Sequence, residues 1–386
     1  MGSAQSFRLD DAEVRAIVEG AERRFDARQA EELLAQDESL GIDEIAGLFL
    51  SPLPTETLLK EARHRTGERA APLETFSPLY LTNTCDAECA MCGMRRDNEA
   101  LRRESASEEE TDAQLHTLDA RGMTAVALLT GEYRRDKRAD ALRRVNRALR
   151  TTQELGFGHV LINVGSIDDD EAAALLDGVA RNADGSVAPK VTMCTFQETY
   201  SRERYARFMG ESEDNPRADY DRRLANFDRM HRAGMRVANP GILVGLNPDV
   251  AFELVALALH TRHLESKGME VYLSVPRLRR IAGGRTQGGI DDDTFLRLVA
   301  VLSIGLPHAK VVLTTREPTE IQEALVPIVS VLSAGSASVS PYTESGARFP
   351  LESSQFEVID QRPFEEILEP WRERRGGIVN FAARES

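Results

Sequence analysis

The chain has 386 residues, 41% of them hydrophobic and 29% charged, which allows a sizeable core beneath a well-solvated surface. A net charge of -15 excludes a general polyanion binder, because nucleic-acid-binding domains carry basic patches. No apolar run approaches a membrane span, and residues 1–10 lack the apolar stretch of a secretion signal, so a soluble cytoplasmic protein with no nucleic-acid or membrane partner is expected.

Met1-Gly2-Ser3-Ala4-Gln5-Ser6 fits a loose myristoylation pattern, one so short that it recurs by chance, and it is read as a coincidence. Residues 11–28, 29–35 and 42–49 carry helical spacing, Pro52-Leu53-Pro54 punctuates them, and 51–64 continues in the same style. Residues 1–74 therefore read as a helical extension that serves packing.

From Phe76 onward, short apolar runs alternate with amphipathic helices. The runs are 78–82, 125–130, 159–164, 191–196, 237–244, 270–275, 310–315 and a weaker one at 336–340. Helical stretches at 108–121, 139–155, 169–180, 218–233, 250–266 and 291–302 separate them, and Ser107-x-x-Glu110 is a capping box. Such alternation implies parallel βαβ units with right-handed crossovers. About eight units predict an α/β fold, a (β/α)8 TIM-type barrel over 75–345, complete or partly open; a doubly wound sheet is the competing architecture. Residues 346–386 form a C-terminal extension, and its polar end from Pro363 is expected to cover one end of the barrel.

Three of the four cysteines share the stretch Thr82-Asn83-Thr84-Cys85-Asp86-Ala87-Glu88-Cys89-Ala90-Met91-Cys92. The spacing C-x3-C-x2-C follows the first strand directly. Three thiolates on one tight loop suit three corners of a cubane iron–sulfur cluster. Such clusters usually take four cysteines, so a missing fourth ligand leaves one iron open. A structural zinc site is the bland alternative, but it prefers four ligands in two pairs, and neither a second pair nor a nearby histidine exists. Cys194, in the apolar run 191–196, is expected to be a buried core residue.

In a barrel, chemistry collects at the C-terminal ends of the strands. The second strand ends in Thr130-Gly131-Glu132: a small residue permits close approach of a cofactor, and Glu132 either accepts hydrogen bonds from its ammonium or is a helix-start carboxylate. The third ends in Asn163-Val164-Gly165-Ser166, suited to ribose or adenine, unless Ser166 merely caps a helix. The fourth ends in Gln197-Glu198-Thr199-Tyr200, followed by Arg202, Arg204 and Arg207, any of which suits a carboxylate. Pro240-Gly241-Ile242-Leu243-Val244-Gly245 admits a flat ring. Arg316, in Thr314-Thr315-Arg316-Glu317-Pro318, is either a substrate-carboxylate anchor or the partner of Glu317 or another acid.

These residues resemble a known family. Pro78-Leu79-Tyr80, Cys85 to Arg95, Leu129-Thr130-Gly131-Glu132-Tyr133, Val191-Thr192-Met193-Cys194, Phe196-Gln197-Glu198 and Arg207-Phe208-Met209-Gly210 carry the likeness. Asn239-Pro240-Gly241, Leu273-Ser274-Val275-Pro276-Arg277, the 313–318 segment and Ser353-Ser354-Gln355-Phe356 extend it. From about Thr75 to Ile359 the chain resembles the radical S-adenosylmethionine (SAM) superfamily. Within it the chain is most similar to the aromatic amino-acid lyases related to biotin synthase, above all the tryptophan lyases that make 3-methyl-2-indolic acid for thiopeptide antibiotics.

The resemblance implies a [4Fe–4S] cluster on Cys85, Cys89 and Cys92, and SAM bound by Met91, Gly131, Glu132, Ser166, Gln197 and Arg207. It implies L-tryptophan anchored by Arg316, Tyr80 and Ser333, and an electron donor such as flavodoxin or ferredoxin. The implied reaction takes a hydrogen atom from the substrate amine, cleaves Cα from the carboxylate and moves the carboxyl fragment to indole C2. Tyrosine lyases of thiamine and hydrogenase-cofactor assembly share the barrel and first motif. The hydrogenase type adds a C-terminal cysteine cluster, and no cysteine follows Cys194 here. A thiamine-type tyrosine lyase is thus the enzymatic alternative, and a zinc- or cluster-stabilised scaffold the non-catalytic one.

Overall fold

The computed structural model describes residues 6–36, 39–69, 71–188, 190–284, 288–343 and 349–382. The myristoylation pattern, all but its last residue, and the expected boundary at 345–346 lie outside the described residues.

Four helices come first: α1 (Asp11–Arg24), α2 (Ala27–Leu34), α3 (Ile42–Leu50) and α4 (Thr55–Arg69). Asp10 and Asp26 cap the first two, each accepting a backbone N–H near the helix start. The strands and helices that follow are β1 (Leu73–Tyr80), α5 (Glu108–Ala120), β2 (Ala125–Leu129), α6 (Arg135–Glu154), β3 (His159–Asn163), α7 (Asp169–Leu175) and β4 (Lys190–Cys194). Next are α8 (Arg202–Met209), α9 (Tyr220–Leu224), α10 (Asn226–Arg232), β5 (Val237–Asn239), α11 (Val250–Ser266), β6 (Glu270–Ser274) and α12 (Asp292–Gly305). The chain ends with β7 (Lys310–Thr314), α13 (Thr319–Leu325), β8 (Val331–Ser333), α14 (Phe364–Arg374) and β9 (Ile378–Val379).

β1 to β8 close into one all-parallel barrel, because β1 pairs with β8 through Glu74–Phe76 and with β2 through Ser77–Tyr80. Closure rules out the doubly wound sheet. Alternate strand residues point inward: Phe76, Ala125, Ala127, Leu161, Cys194, Val237, Tyr272, Val312 and Val331 form an inner cluster. Their neighbours, such as Val126, Leu128, Val160 and Ile162, join the larger core under the helices. The N-terminal end of the barrel is sealed by charge: Tyr272 donates to Glu74 at 2.5 Å and accepts from Lys190 at 2.6 Å, and Lys310 bridges Glu74 and Glu270.

The N-terminal helices pack on the barrel's outer helices, α3 and α4 against α11 and α12. Arg297 of α12 donates to the carbonyls of Leu48, Phe49, Ser51 and Leu53, which are the unpaired acceptors at and beyond the end of α3. The tail divides. β9 pairs with Leu73 and Glu74 at the N-terminal end of β1, whereas residues 355–358 reach the opposite end.

Several expected elements shift. β1 starts five residues early and ends at Tyr80, and β5 stops at Asn239 because Pro240 brings no N–H for pairing. The last strand is Val331–Ser333, not 336–340; it pairs with β7 and β1, and Gly335 at φ 137° then turns the chain away. The helix expected at 218–233 is two, α9 and α10, and that at 169–180 ends at Leu175. The Ser107 capping box forms as expected. No described helix is long and apolar enough to cross a membrane.

Candidate active site

A cavity, partly open to solvent, lies at the C-terminal ends of the strands. Ala127 leaves room beneath it, and the inner cluster forms its floor, with Phe76, Cys194 and Val312 exposed to it. Cys194 is thus both buried core, as expected, and floor.

The loop after β1 supplies the cavity's most distinctive wall. Its backbone is tied down by Asp86 N–H to the Glu132 carbonyl (2.9 Å) and Ala90 N–H to the Phe208 carbonyl (2.8 Å). Arg103 clamps it from within, donating to the carbonyls of Asn83 (3.0 Å), Met94 (2.9 Å) and Arg95 (2.6 Å). Cys85, Cys89 and Cys92 all line the cavity as free thiols. The Cys85 sulfur accepts from the backbone N–H groups of Glu132 (3.3 Å) and Ala87 (3.4 Å), and Cys92 accepts from the Gln355 amide (3.4 Å).

Burial, and then the neighbouring Cys92, push the Cys85 thiol up to about 12. Burial raises Cys89 and Cys92 as well, with Arg217 pulling against it at Cys89. Three such thiols give up their protons when a cation replaces them. N–H donors aimed at the sulfurs are a recognised way to tune a cluster, so the donor set fits one. Among the described residues no three histidine, cysteine or carboxylate side chains are arranged to hold a single metal ion.

Gly131 packs directly against the cysteine loop. A Cβ there would lie 2.0 Å from the Thr84 carbonyl oxygen and 2.8 Å from the Cys85 Cα. What approaches closely is the cysteine loop itself. Gly165, at φ 82°, likewise makes room for the Glu132 carboxylate.

Glu132 is buried in the cavity wall. Burial works against its charge, but Arg223 at 2.7 Å and Arg217 at 3.3 Å outweigh it, and the carboxyl is held below the usual range. Arg217 also pairs with Glu198 at 3.0 Å. Across the cavity stands Arg316, with its guanidinium 4.4 Å from the Phe356 ring centre and within hydrogen-bonding reach of Tyr80. Among the described residues no carboxylate pairs with Arg316. Glu317 instead accepts from Arg277 and Arg279. Burial raises Tyr80 to about 12 despite Arg316, so its hydroxyl stays protonated and donates to Gln355 Oε1 at 2.6 Å.

The structure therefore brings Tyr80, Cys85, Cys89, Cys92, Gly131, Glu132, Arg316 and Ser333 to one cavity. It leaves four expected residues outside. Met91 lines a separate hollow with Phe208 and Ile281. Ser166 neither faces the cavity nor caps a helix: its hydroxyl lies between the Arg222 carbonyl (3.1 Å) and Arg229 (2.9 Å), and Asp168 is the cap of α7. Gln197 is buried outside the cavity, because Phe196 and Glu198 take the inward positions on either side of it. Arg207 is exposed beside Phe208, and Arg202 binds Asp221. The arginines after the fourth strand that line the cavity are Arg217 and Arg223. Their only signal was position: both follow the fourth strand, where an arginine was expected.

A closed parallel barrel with three cysteines on the loop after its first strand, facing a cavity at the strand ends, defines a radical SAM protein. A family profile, the Biotin and Thiamin Synthesis associated domain, matches residues 274–374, the stretch that holds Arg316, Ser333 and Gln355. The chain is 26% identical to 2-iminoacetate synthase of Escherichia coli over 336 residues, covering 83% of this chain and 80% of that one. The crystal structure of HydG, a maturase of the [FeFe]-hydrogenase, superposes with a TM-score of 0.80 at 27% identity, covering 95% of this chain and 79% of that one. HydG of Carboxydothermus hydrogenoformans gives 0.78 at 26%, covering 96% and 85%. The chain is a radical SAM enzyme related to 2-iminoacetate synthase and HydG, with the associated domain at its C-terminal side. That domain contains no cysteine.

Proposed function

We propose that the protein is a cytoplasmic radical SAM lyase that converts L-tryptophan to 3-methyl-2-indolic acid, drawing electrons from a flavodoxin- or ferredoxin-like donor. The observation that carries this reading is Arg316, a guanidinium without a carboxylate partner among the described residues, lining one cavity with three cysteine thiols. When bound on Cys85, Cys89 and Cys92, a [4Fe–4S] cluster with SAM supplies a deoxyadenosyl radical that removes a hydrogen atom from the substrate.

The chain's own residues do the rest. Arg316 presents a planar fork that suits an amino-acid carboxylate in two parallel hydrogen bonds. Tyr80 and Ser333 flank it and complete the anchor. A carboxylate fixed at one end aims the amine at the cluster side, and holding a reacting atom in place lowers the barrier to attack on it. Glu132, kept ionised by Arg223 and Arg217, offers its remaining oxygen to the SAM ammonium. Phe76, Pro78, Ala127, Leu129, Phe196 and Val312 supply an apolar lining for an aromatic ring and exclude water.

The likeness to 2-iminoacetate synthase backs a thiamine-type tyrosine lyase better than a tryptophan lyase, and that is the second reading. Two features support tryptophan. The residue matches quoted above extend through the anchor segments. In addition, no histidine, lysine or aspartate lines the cavity among the described residues, and its two carboxylates, Glu132 and Glu198, are already ion-paired. Nothing there waits to take a phenolic proton. Anaerobically reconstituted enzyme, given dithionite, SAM and each amino acid in turn, decides it by mass spectrometry. 3-Methyl-2-indolic acid is expected, and p-cresol as the dominant product establishes the tyrosine lyase. Colourless protein with one tightly held zinc supports the scaffold instead.

A further inference from the structure

Gln355 touches both halves of the site. Its Nε2 donates to the Cys92 sulfur at 3.4 Å, and its Oε1 accepts from the Tyr80 hydroxyl at 2.6 Å. Chemistry fixes the orientation of the amide: a cluster-bound thiolate has no proton and only accepts, so the NH2 must face it. Tyr80 in turn adjoins Arg316. A continuous chain therefore runs from Arg316 through Tyr80 and Gln355 to a cluster sulfur.

The backbone holds this arrangement. Gly93 follows Cys92 and donates its N–H to the Gln355 carbonyl at 3.1 Å. A Cβ on Gly93 would lie 2.7 Å from that same oxygen, so only glycine lets the 354–355 segment rest on the cysteine loop. The adjacent Phe356 lies under the Arg316 guanidinium. One short strap thus carries a hydrogen-bond donor to a cysteine sulfur on one residue and a platform for the anchor on the next.

We propose that Gln355 is a positioning residue that couples occupancy of the carboxylate anchor to the electron affinity of the cluster. This rests on the reading that Arg316 binds an amino-acid carboxylate. A hydrogen bond to a cluster sulfur stabilises the reduced, more negative state and raises its potential. A carboxylate arriving at Arg316 competes for the Tyr80 hydroxyl, because an ionised acceptor forms the stronger bond. Gln355 then loses its Tyr80 partner, its amide resets, and the bond to Cys92 changes with it. Linkage makes the effect reciprocal: if the amino acid shifts the reduction equilibrium, reduction shifts amino-acid affinity by the same factor. The function of such coupling is to time electron entry to the presence of substrate, so that SAM is not cleaved in an empty site.

The test is the cluster's midpoint potential and its reduced-state electron paramagnetic resonance spectrum, in reconstituted full-length enzyme with SAM, with and without L-tryptophan. Wild type is expected to shift on tryptophan addition. Gln355→Leu and Gln355→Glu, which cannot donate to Cys92, should bind iron normally. Each should show a lower substrate-free potential, by up to tenfold in the one-electron equilibrium or about 59 mV, and no tryptophan-dependent shift. Tyr80→Phe, which deprives Gln355 of its Tyr80 partner permanently, should show the spectrum of tryptophan-bound wild type already without substrate and no further shift. Variants that match wild type in potential and spectrum, with and without tryptophan, overturn the proposal. Failure of the tryptophan reading is separately visible, since equilibrium dialysis then shows no tryptophan bound to wild type while the substrate-free Gln355 comparison still tests the contact to Cys92.

Discussion

Arg316 and Glu317 are adjacent in the chain and face opposite ways. The Glu317 carboxylate turns into the protein, to Arg277 at 2.9 Å and Arg279 at 2.7 Å, while Arg316 turns into the cavity. The buried ion cluster spends the acid that would otherwise neutralise the anchor.

Replacing Arg316 with Ala removes charged hydrogen bonds of about 1.5–3 kcal/mol each. The expected loss in tryptophan affinity is roughly tenfold or more, with the cluster's visible absorbance intact. Anaerobic calorimetry reads it. Unchanged affinity and product ratio would take Arg316 out of the anchor.

Glu317→Ala leaves Arg277 and Arg279 without their shared acceptor. Arg277 is buried and, among the described residues, keeps Asp292 as its remaining acidic partner. Breaking a buried pair costs about 3–5 kcal/mol, so the urea midpoint should fall sharply. A loss below about 1 kcal/mol, the range of exposed pairs, would show that this cluster does not hold the turn.

Gly131→Ala places a methyl against backbone atoms of the cysteine loop, which have no room to step aside. Reconstituted protein should lose most of its iron while circular dichroism stays near wild type. Gly20→Ala is the control, since nothing lies within 4 Å of its added Cβ. In the middle of α1 that change should stabilise by about 0.5–1 kcal/mol. Normal iron content in Gly131→Ala would refute the close-packing argument. Cys89→Ala should abolish SAM cleavage outright, and residual deoxyadenosine release would remove Cys89 as a cluster ligand.

Acid sensitivity should begin near neutrality. Burial pulls His159 and His260 down to about 3, both neutral in the fold. The unfolded chain takes protons on them below about pH 6.5, where the fold does not. Stability is therefore full above that pH and declines as pH falls toward 3, by about 1.4 kcal/mol per unit for each histidine. His260→Gln should roughly halve the slope between pH 6 and 4 in urea titrations. An unchanged slope would assign the acid response to other groups.

What was legible in the sequence was whatever is encoded locally. Seven of the eight barrel strands overlapped their apolar runs, because alternating side chains on a strand leave a pattern within five residues. β8 has only three residues, Val331–Ser333, as does β5, but the apolar run of β5 continues to Val244, whereas β8 went to a run of serines instead. Gln197, which the resemblance implied for SAM, stands between Phe196 and Glu198, and those two line the cavity instead.

By itself, the sequence determined the cysteine loop, the repeat of strand and helix, and the strand ends at which Glu132 and Arg316 stand. Spacing along one segment sets each of these. Only the tertiary structure decided which charges meet: Arg217 and Arg223 on Glu132, Glu317 on Arg277, Gln355 on a sulfur 263 residues away. Closing the barrel sets such distances, and no local period carries them.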